Sequence, residues 1–428
     1  MLRNRRRVFL LTLSLLSAGH RVGAQESGFD SQVTALLADP RIREALAVIE
    51  TLEPTTTRDL IHLTEIPAPP FMEAERAAAF LDLLASAGAD SVRIDEVGNV
   101  LAFREGTVGE RTVVMGAHLD TVFPEGTDVR VRTRGDTLFA PGIGDDTRGL
   151  ILVLTVLRAL ERTGVDTEAD LIFLGSVGEE GLGDLRGVKH FFREGGHRVD
   201  SFIEVDGGGM AGIVSMGLGS VRYRVTIRGS GGHSWGAFGL GNPIHALGRA
   251  IEAFTSVADP LTRTGPTTSY NVGRIGGGTS INSIPFEAWM EVDMRSESPE
   301  SLGTIAAAFE EAVARAVEEE NGLRREGPPL ELAVDRIGDR PSGETDPDTP
   351  LVQRAMAVTR YFGEEPYLSR SSTNSNIPIS MGIPAVTIGR GGIGGDNHSP
   401  TEWWMNVDGY KAIQRALLIL VAEAGLAP

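Results

Sequence analysis

Between Gly217 and Arg340 the rhythm of the chain changes, and that change limits the folds open to it. Before the change, short β-rich runs (Ser91–Ile94, Val100–Phe103, Thr112–Met115, Asp170–Val177) alternate with helical spacing. The helical stretches are Leu60, Ile61, Leu63, Ala77, Ala78, Phe80, Leu81 and Leu84 around a proline loop at Ile66–Pro70, and then Thr147–Thr163. Such alternation predicts an α/β unit with a mostly parallel sheet flanked by helices. Inside the window the order is strand (Val221–Ile227), helix (Pro243–Val257), strand (Ser269–Arg274), strand (Ala288–Arg295), helix (Ser298–Asn321) and strand (Leu330–Val334). That is a self-contained β-α-β-β-α-β unit. Beyond Arg340 the first style returns, with a helix over Pro350–Tyr361, a strand over Ala385–Ile388 and a closing core helix over Asp408–Ala424. The expected organisation is one α/β unit in two parts, 25–216 and 341–428, interrupted by an inserted unit over 217–340.

The 428 residues include no Cys, which excludes disulfides, thiolate metal sites and a Cys nucleophile. A net charge of −18 argues against nucleic acid as a partner, because phosphates would be repelled. The first 24 residues stand apart: Arg3, Arg5, Arg6 and Arg7, an apolar run over Val8–Ala18, then the small residues Val22-Gly23-Ala24. This pattern predicts a cleaved signal peptide over Met1–Ala24, too short in its apolar part to span a bilayer. Arg6-Arg7-Val8-Phe9-Leu10 also resembles a twin-arginine signal, which would mean export of an already folded protein. The expected location is periplasmic or secreted, with no membrane attachment after cleavage.

Without Cys, metal ligands must be His and carboxylates. Five places gather these types at the ends of predicted strands: His118-Leu119-Asp120, Asp145-Asp146, Glu179-Glu180, Asp206, and His398 within Gly394–Pro400. Each alone has an ordinary reading, such as a helix cap for Asp145 or a solvated loop for Glu179-Glu180. Together they line the carboxyl ends of strands in one α/β unit, where open sheets bind ligands. Adjacent acids at a site can divide the work, one as ligand and one as general base. The charges suit two divalent ions, since Asp145, Asp206, Glu180 and a bridging hydroxide would balance them.

These residues resemble the co-catalytic zinc peptidase family that includes glutamate carboxypeptidase, acetylornithine deacetylase, succinyl-diaminopimelate desuccinylase and peptidase T. The phrase Val205-Asp206-Gly207-Gly208 is most similar to the peptidase T branch. The resemblance implies two Zn2+, with Co2+ or Mn2+ as substitutes. His118 and Asp206 would hold one, Glu180 and His398 the other, and Asp145 would bridge them ahead of a cis Asp145–Asp146 bond. It implies Asp120 as support for His118, Glu179 as general base, and His233, in Gly231-Gly232-His233-Ser234, as a group that steadies the oxyanion of a partner subunit's site. The inserted unit would be a lid and homodimerisation domain, with Asn282, Arg295 and Asn374 among the substrate contacts. Asn374 stands where many relatives would have Asp, and Asn397 replaces a small residue before His398. The implied activity is hydrolysis of an amide bond in a short peptide by an exopeptidase of aminopeptidase, tripeptidase or carboxypeptidase type. A deacylase of N-acyl amino acids and a non-catalytic binding homologue are the alternatives. The inserted segment decides against the related zinc aminopeptidases that lack it.

Overall fold

The computed structural model describes residues 23–193 and 195–428, so the signal segment expected over Met1–Ala24 lies outside it apart from its last two residues. Thr112–His118 and Asp170–Ser176 are apolar runs buried on both faces, the pattern of parallel strands covered by helices on each side. They sit at the middle of a nine-stranded sheet. Four central strands are parallel, in the order Asp170–Ser176, Thr112–His118, Ser201–Val205, Ala385–Ile388. Val100–Arg104 and Ser91–Ile94 extend one side in antiparallel fashion. Gly212–Gly217 extends the other and pairs with Tyr367–Ser371 and Gly343–Glu344.

Side chains alternate across this sheet. Val113, Met115 and Phe173 join the buried helices Gly149–Thr163 and Gly409–Ala424 in one core, while Val114, Ile172 and Phe202 join Phe191 and Ile377 in another. A sheet with helices on both faces is the mixed α/β architecture that the alternating pattern predicts. The parallel strands finish level: His118 lies opposite Ser176, and Ile388 opposite Val205. The segments that follow them emerge at one edge of the sheet.

Residues 219–340 supply a separate antiparallel sheet, in the order Thr268–Gly277, Glu287–Ser296, Gly219–Arg228, Glu331–Arg340. Helices Pro243–Leu261 and Pro299–Leu323 pack on it around a core of their own. The strand expected over Ser269–Arg274 runs on to Gly277, pairing as far as Ala288, and glycine is needed at 276, where a Cβ would come within 2.6 Å of the Trp289 indole. Phe309 fills the middle of this core, 5.3 Å from the Tyr223 ring and 4.9 Å from the Phe254 ring, centroid to centroid. Phe309→Ala is expected to destabilise the unit by about 3–5 kcal/mol, the usual cost of a large aromatic cavity, read as a lower urea midpoint.

Candidate active site

His118 is the last residue of its strand and is 1% exposed. Its Nδ1 lies 3.0 Å from the Asp120 carbonyl oxygen, so that nitrogen carries the proton and Nε2 is left for a ligand. The Asp120 carboxylate lies 3.6 Å from the same nitrogen and also accepts the backbone N–H groups of Glu179 (2.9 Å) and Glu180 (2.8 Å). Asp120 therefore fixes the ring with its backbone and the acidic loop with its side chain. Burial works against an ionised Asp120, but His118 and the two amides outweigh it and hold the carboxyl low.

Asp145 sits in the turn Ile143–Arg148, entered through Gly142 at φ +77°, and its bond to Asp146 is cis as the resemblance implies. Glu402 locks the turn: Oε1 accepts the N–H groups of Gly144 and Asp145, both at 2.9 Å, and Oε2 that of Gly142 at 2.8 Å. The Asp145 carboxylate faces two imidazoles. Oδ1 is 3.3 Å from His118 Nε2, and Oδ2 is 3.2 Å from His398 Nε2. His398 comes from a hairpin between the strands Ile393–Gly395 and Trp403–Met405, and takes φ +63° to turn its ring inward. Glu180 Oε1 lies 2.9 Å from the same His398 Nε2. Asp145 and Glu180 raise the His398 ring to about 10, so a metal ion bound there displaces a proton.

The ligand atoms of His118, Asp145 and Asp206 lie within 4.8 Å of one another, and so do those of Asp145, Glu180 and His398. Imidazole nitrogens and carboxylate oxygens in that spacing fit zinc, cobalt or manganese. His118, Glu179 and Glu180 also fall within that spacing, but Glu179 is otherwise engaged. Its Oε1 accepts from Arg340 Nη1 at 3.0 Å, and its carbonyl oxygen accepts from Arg340 Nη2. Burial raises the Glu179 carboxyl to about 8 against the pull of Arg340.

A cavity of about 480 Å³ opens beside these groups, lined among others by Glu179, Glu180, Asp206, Arg295, Arg340 and His398. Asn397 also lines it, so the departure next to His398 falls at the site. Three residues expected to meet substrate do not line this cavity. Asn374 is fully buried and donates to Ser176 Oγ (2.9 Å) and Glu204 Oε1 (2.6 Å), which corrects its assignment as a substrate contact: the buried Glu204 carboxylate needs that donor. His233 and Asn282 are exposed on the pairing of Gly232–His233 with Ser283–Ile284. Sequence reading missed Arg340, Arg390 and Glu402. Arg390 places Nη1 3.3 Å from Asp206 Oδ1 and 3.5 Å from Asp145 Oδ1.

Comparison with known proteins places the chain in a family. The chain is 27% identical to carboxypeptidase G2 of Pseudomonas sp. (strain RS-16) over 285 residues, 63% of this chain and 64% of that protein. Aminopeptidase PepT of Bacillus cereus superposes with a TM-score of 0.68 at 22% identity, covering 86% of this chain and 97% of that one. YxeP of Bacillus subtilis, described as a dinuclear metal-binding peptidase of the M20 family, superposes with a TM-score of 0.62 at 17% identity, covering 88% and 100%. Residues 114–422 match the model of peptidase family M20/M25/M40, a span that runs from the strand bearing His118 past His398, and the chain belongs to that family.

Proposed function

We propose that this chain is an exopeptidase that hydrolyses an amide bond of a short peptide with two zinc ions, for which cobalt or manganese can substitute, and Glu179 as general base. One observation carries the reading: Asp145 turns one carboxylate oxygen to His118 and the other to His398, with Asp206 and Glu180 completing two matched ligand sets. His118 and Asp206 would hold one ion, Glu180 and His398 the other, and Asp145 both; bound there, the ions supply a water of lowered pKa and a polarised carbonyl.

Glu179 takes the proton of the attacking water and passes it to the departing amine. Its buried position suits the task, since burial raises the carboxyl and so makes the ionised group a stronger base toward the water's proton than an exposed glutamate. Arg340 holds the carboxylate in place at the cavity wall. Arg295, also in the wall, offers a guanidinium to a terminal carboxylate of the substrate.

His233 completes the reading only in a homodimer, as the group that steadies the oxyanion of the partner's site. Glu179→Ala and His233→Ala variants are each expected to be inactive. Mixed under exchange, they should regain about a quarter of normal activity, because half the dimers then carry one intact composite site. No recovery from two inactive variants would take His233 out of the partner's site, and an active His233→Ala would take it out of the reaction. We also place the enzyme outside the cytoplasm, on the pattern of Met1–Ala24.

The test of the activity is a panel of dipeptides, tripeptides, folyl-glutamate and N-acyl amino acids assayed with zinc, cobalt and manganese. Preferential cleavage of acyl amino acids would make it a deacylase. Cleavage of none, with both metals bound, would make it a binding protein.

A further inference from the structure

Two residues past the strand Ala385–Ile388, Arg390 turns a buried guanidinium into the carboxylate cluster. Its Nη1 lies 3.3 Å from Asp206 Oδ1, 3.5 Å from Asp145 Oδ1 and 3.5 Å from Asp146 Oδ1. Its backbone N–H donates to the Gly207 carbonyl at 3.1 Å, which ties its loop to the one after Asp206. The guanidinium packs over Gly144, where a Cβ would stand 3.4 Å from Nη2. Arg390 does not line the cavity, so it does not meet substrate.

Its placement is one-sided. The Asp145 oxygen it approaches is Oδ1, which faces His118, while Oδ2 faces His398. Its other close contacts are Asp206, on the His118 side, and Asp146, whose Oδ2 accepts the His118 backbone N–H at 3.2 Å. Among the described residues, Arg390 forms no ion pair with Glu180. The two metal positions have the same inventory: one imidazole, one carboxylate and one oxygen of Asp145. A fixed positive charge beside one of them breaks that equality, because it repels a divalent ion at short range in a poorly solvated pocket.

Resting on the dinuclear reading above, we propose that Arg390 is a resident cation that makes the two metal positions unequal. The position of His118, Asp206 and Asp145 Oδ1 binds its ion more weakly than that of Glu180, His398 and Asp145 Oδ2. The enzyme then keeps one ion firmly and takes the second according to the supply of divalent metal. Arg390 is a positioning residue, acting on charge at the site and not on substrate.

The test is titration of the metal-free full chain with Mn2+, by calorimetry or equilibrium dialysis, for the natural protein, Arg390→Met and Arg390→Lys. The expected result is two unequal steps in the natural protein. Arg390→Met tightens the weaker one by about tenfold or more and moves the other by less than about threefold, and Arg390→Lys, of similar length but charged, keeps the natural pattern. His118→Ala should abolish the step that Arg390→Met tightens, and His398→Ala the other. Equal behaviour of Arg390→Lys and Arg390→Met would overturn the proposal. So would tightening of both steps, or loss of both ions in Arg390→Met while Arg390→Lys binds normally, which would make Arg390 a brace for its loop. Failure of the natural protein to bind any ion would instead remove the dinuclear reading, whereas two steps indifferent to Arg390 would leave that reading standing.

Discussion

Glu179→Ala lowers kcat by about a thousandfold or more while metal content stays normal, if Glu179 is the general base. The loop makes this separation possible. The backbone N–H groups of residues 179 and 180 are held by the Asp120 carboxylate, and neither bond needs the Glu179 side chain. Glu180 should therefore stay beside His398, 2.9 Å from its Nε2. The variant does strip Arg340 of a buried partner, so Glu179→Gln, which can still accept from the guanidinium, belongs beside it. Both should lose turnover alike, because neither side chain can take a proton from water. Peptide cleavage followed by chromatography, with elemental analysis of the same samples, checks it. Near-normal turnover in either variant would remove Glu179 from its role.

Asp145→Ala should empty both metal positions, whereas His398→Ala empties one. The difference follows from one carboxylate facing both rings, Oδ1 toward His118 and Oδ2 toward His398. Activity should vanish in Asp145→Ala, since water activation and carbonyl polarisation are lost together. Heat stability should fall as well. An ion present at a hundred times its Kd adds about 2.7 kcal/mol to a fold that alone binds it. For a protein of this size that is a loss of roughly 3 °C in Tm for each ion, and chelation of the natural protein should reproduce it. Elemental analysis showing a full complement of metal in Asp145→Ala would separate Asp145 from both positions.

The groups most legible in the sequence are those whose chemistry and place coincide. His118, Glu180, Asp206 and His398 are His or carboxylate residues that follow apolar runs, and the level ends of the parallel strands bring them together. The residues that hold them were not legible. Arg340 and Arg390 carry no local mark of burial, since an arginine between glycines or before a proline usually meets solvent. Only the return of the chain brings Arg340 to Glu179, 161 residues earlier. Glu402 reads as a loop acid until the hairpin bearing His398 swings it under Gly142 and Asp145. Asn374 misled in the other direction: a polar residue in a polar run, it is drawn inward by Glu204. The strands Gly212–Gly217 and Tyr367–Ser371 escaped notice because glycine ends and polar side chains blur their alternation.

The order of strands in the central sheet also governs how the chain comes off the ribosome. Ser201–Val205 finds one neighbour in Thr112–His118, already made, but its other neighbour, Ala385–Ile388, arrives about 180 residues later. At about 5–20 residues per second that is roughly ten to forty seconds with a hydrophobic strand edge unpaired. Residues 219–340, whose sheet is built wholly from strands within that span, are synthesised during the interval and can fold while it lasts. The nascent protein therefore carries a finished unit on an unfinished sheet, and that open edge is where chaperone binding or aggregation should concentrate.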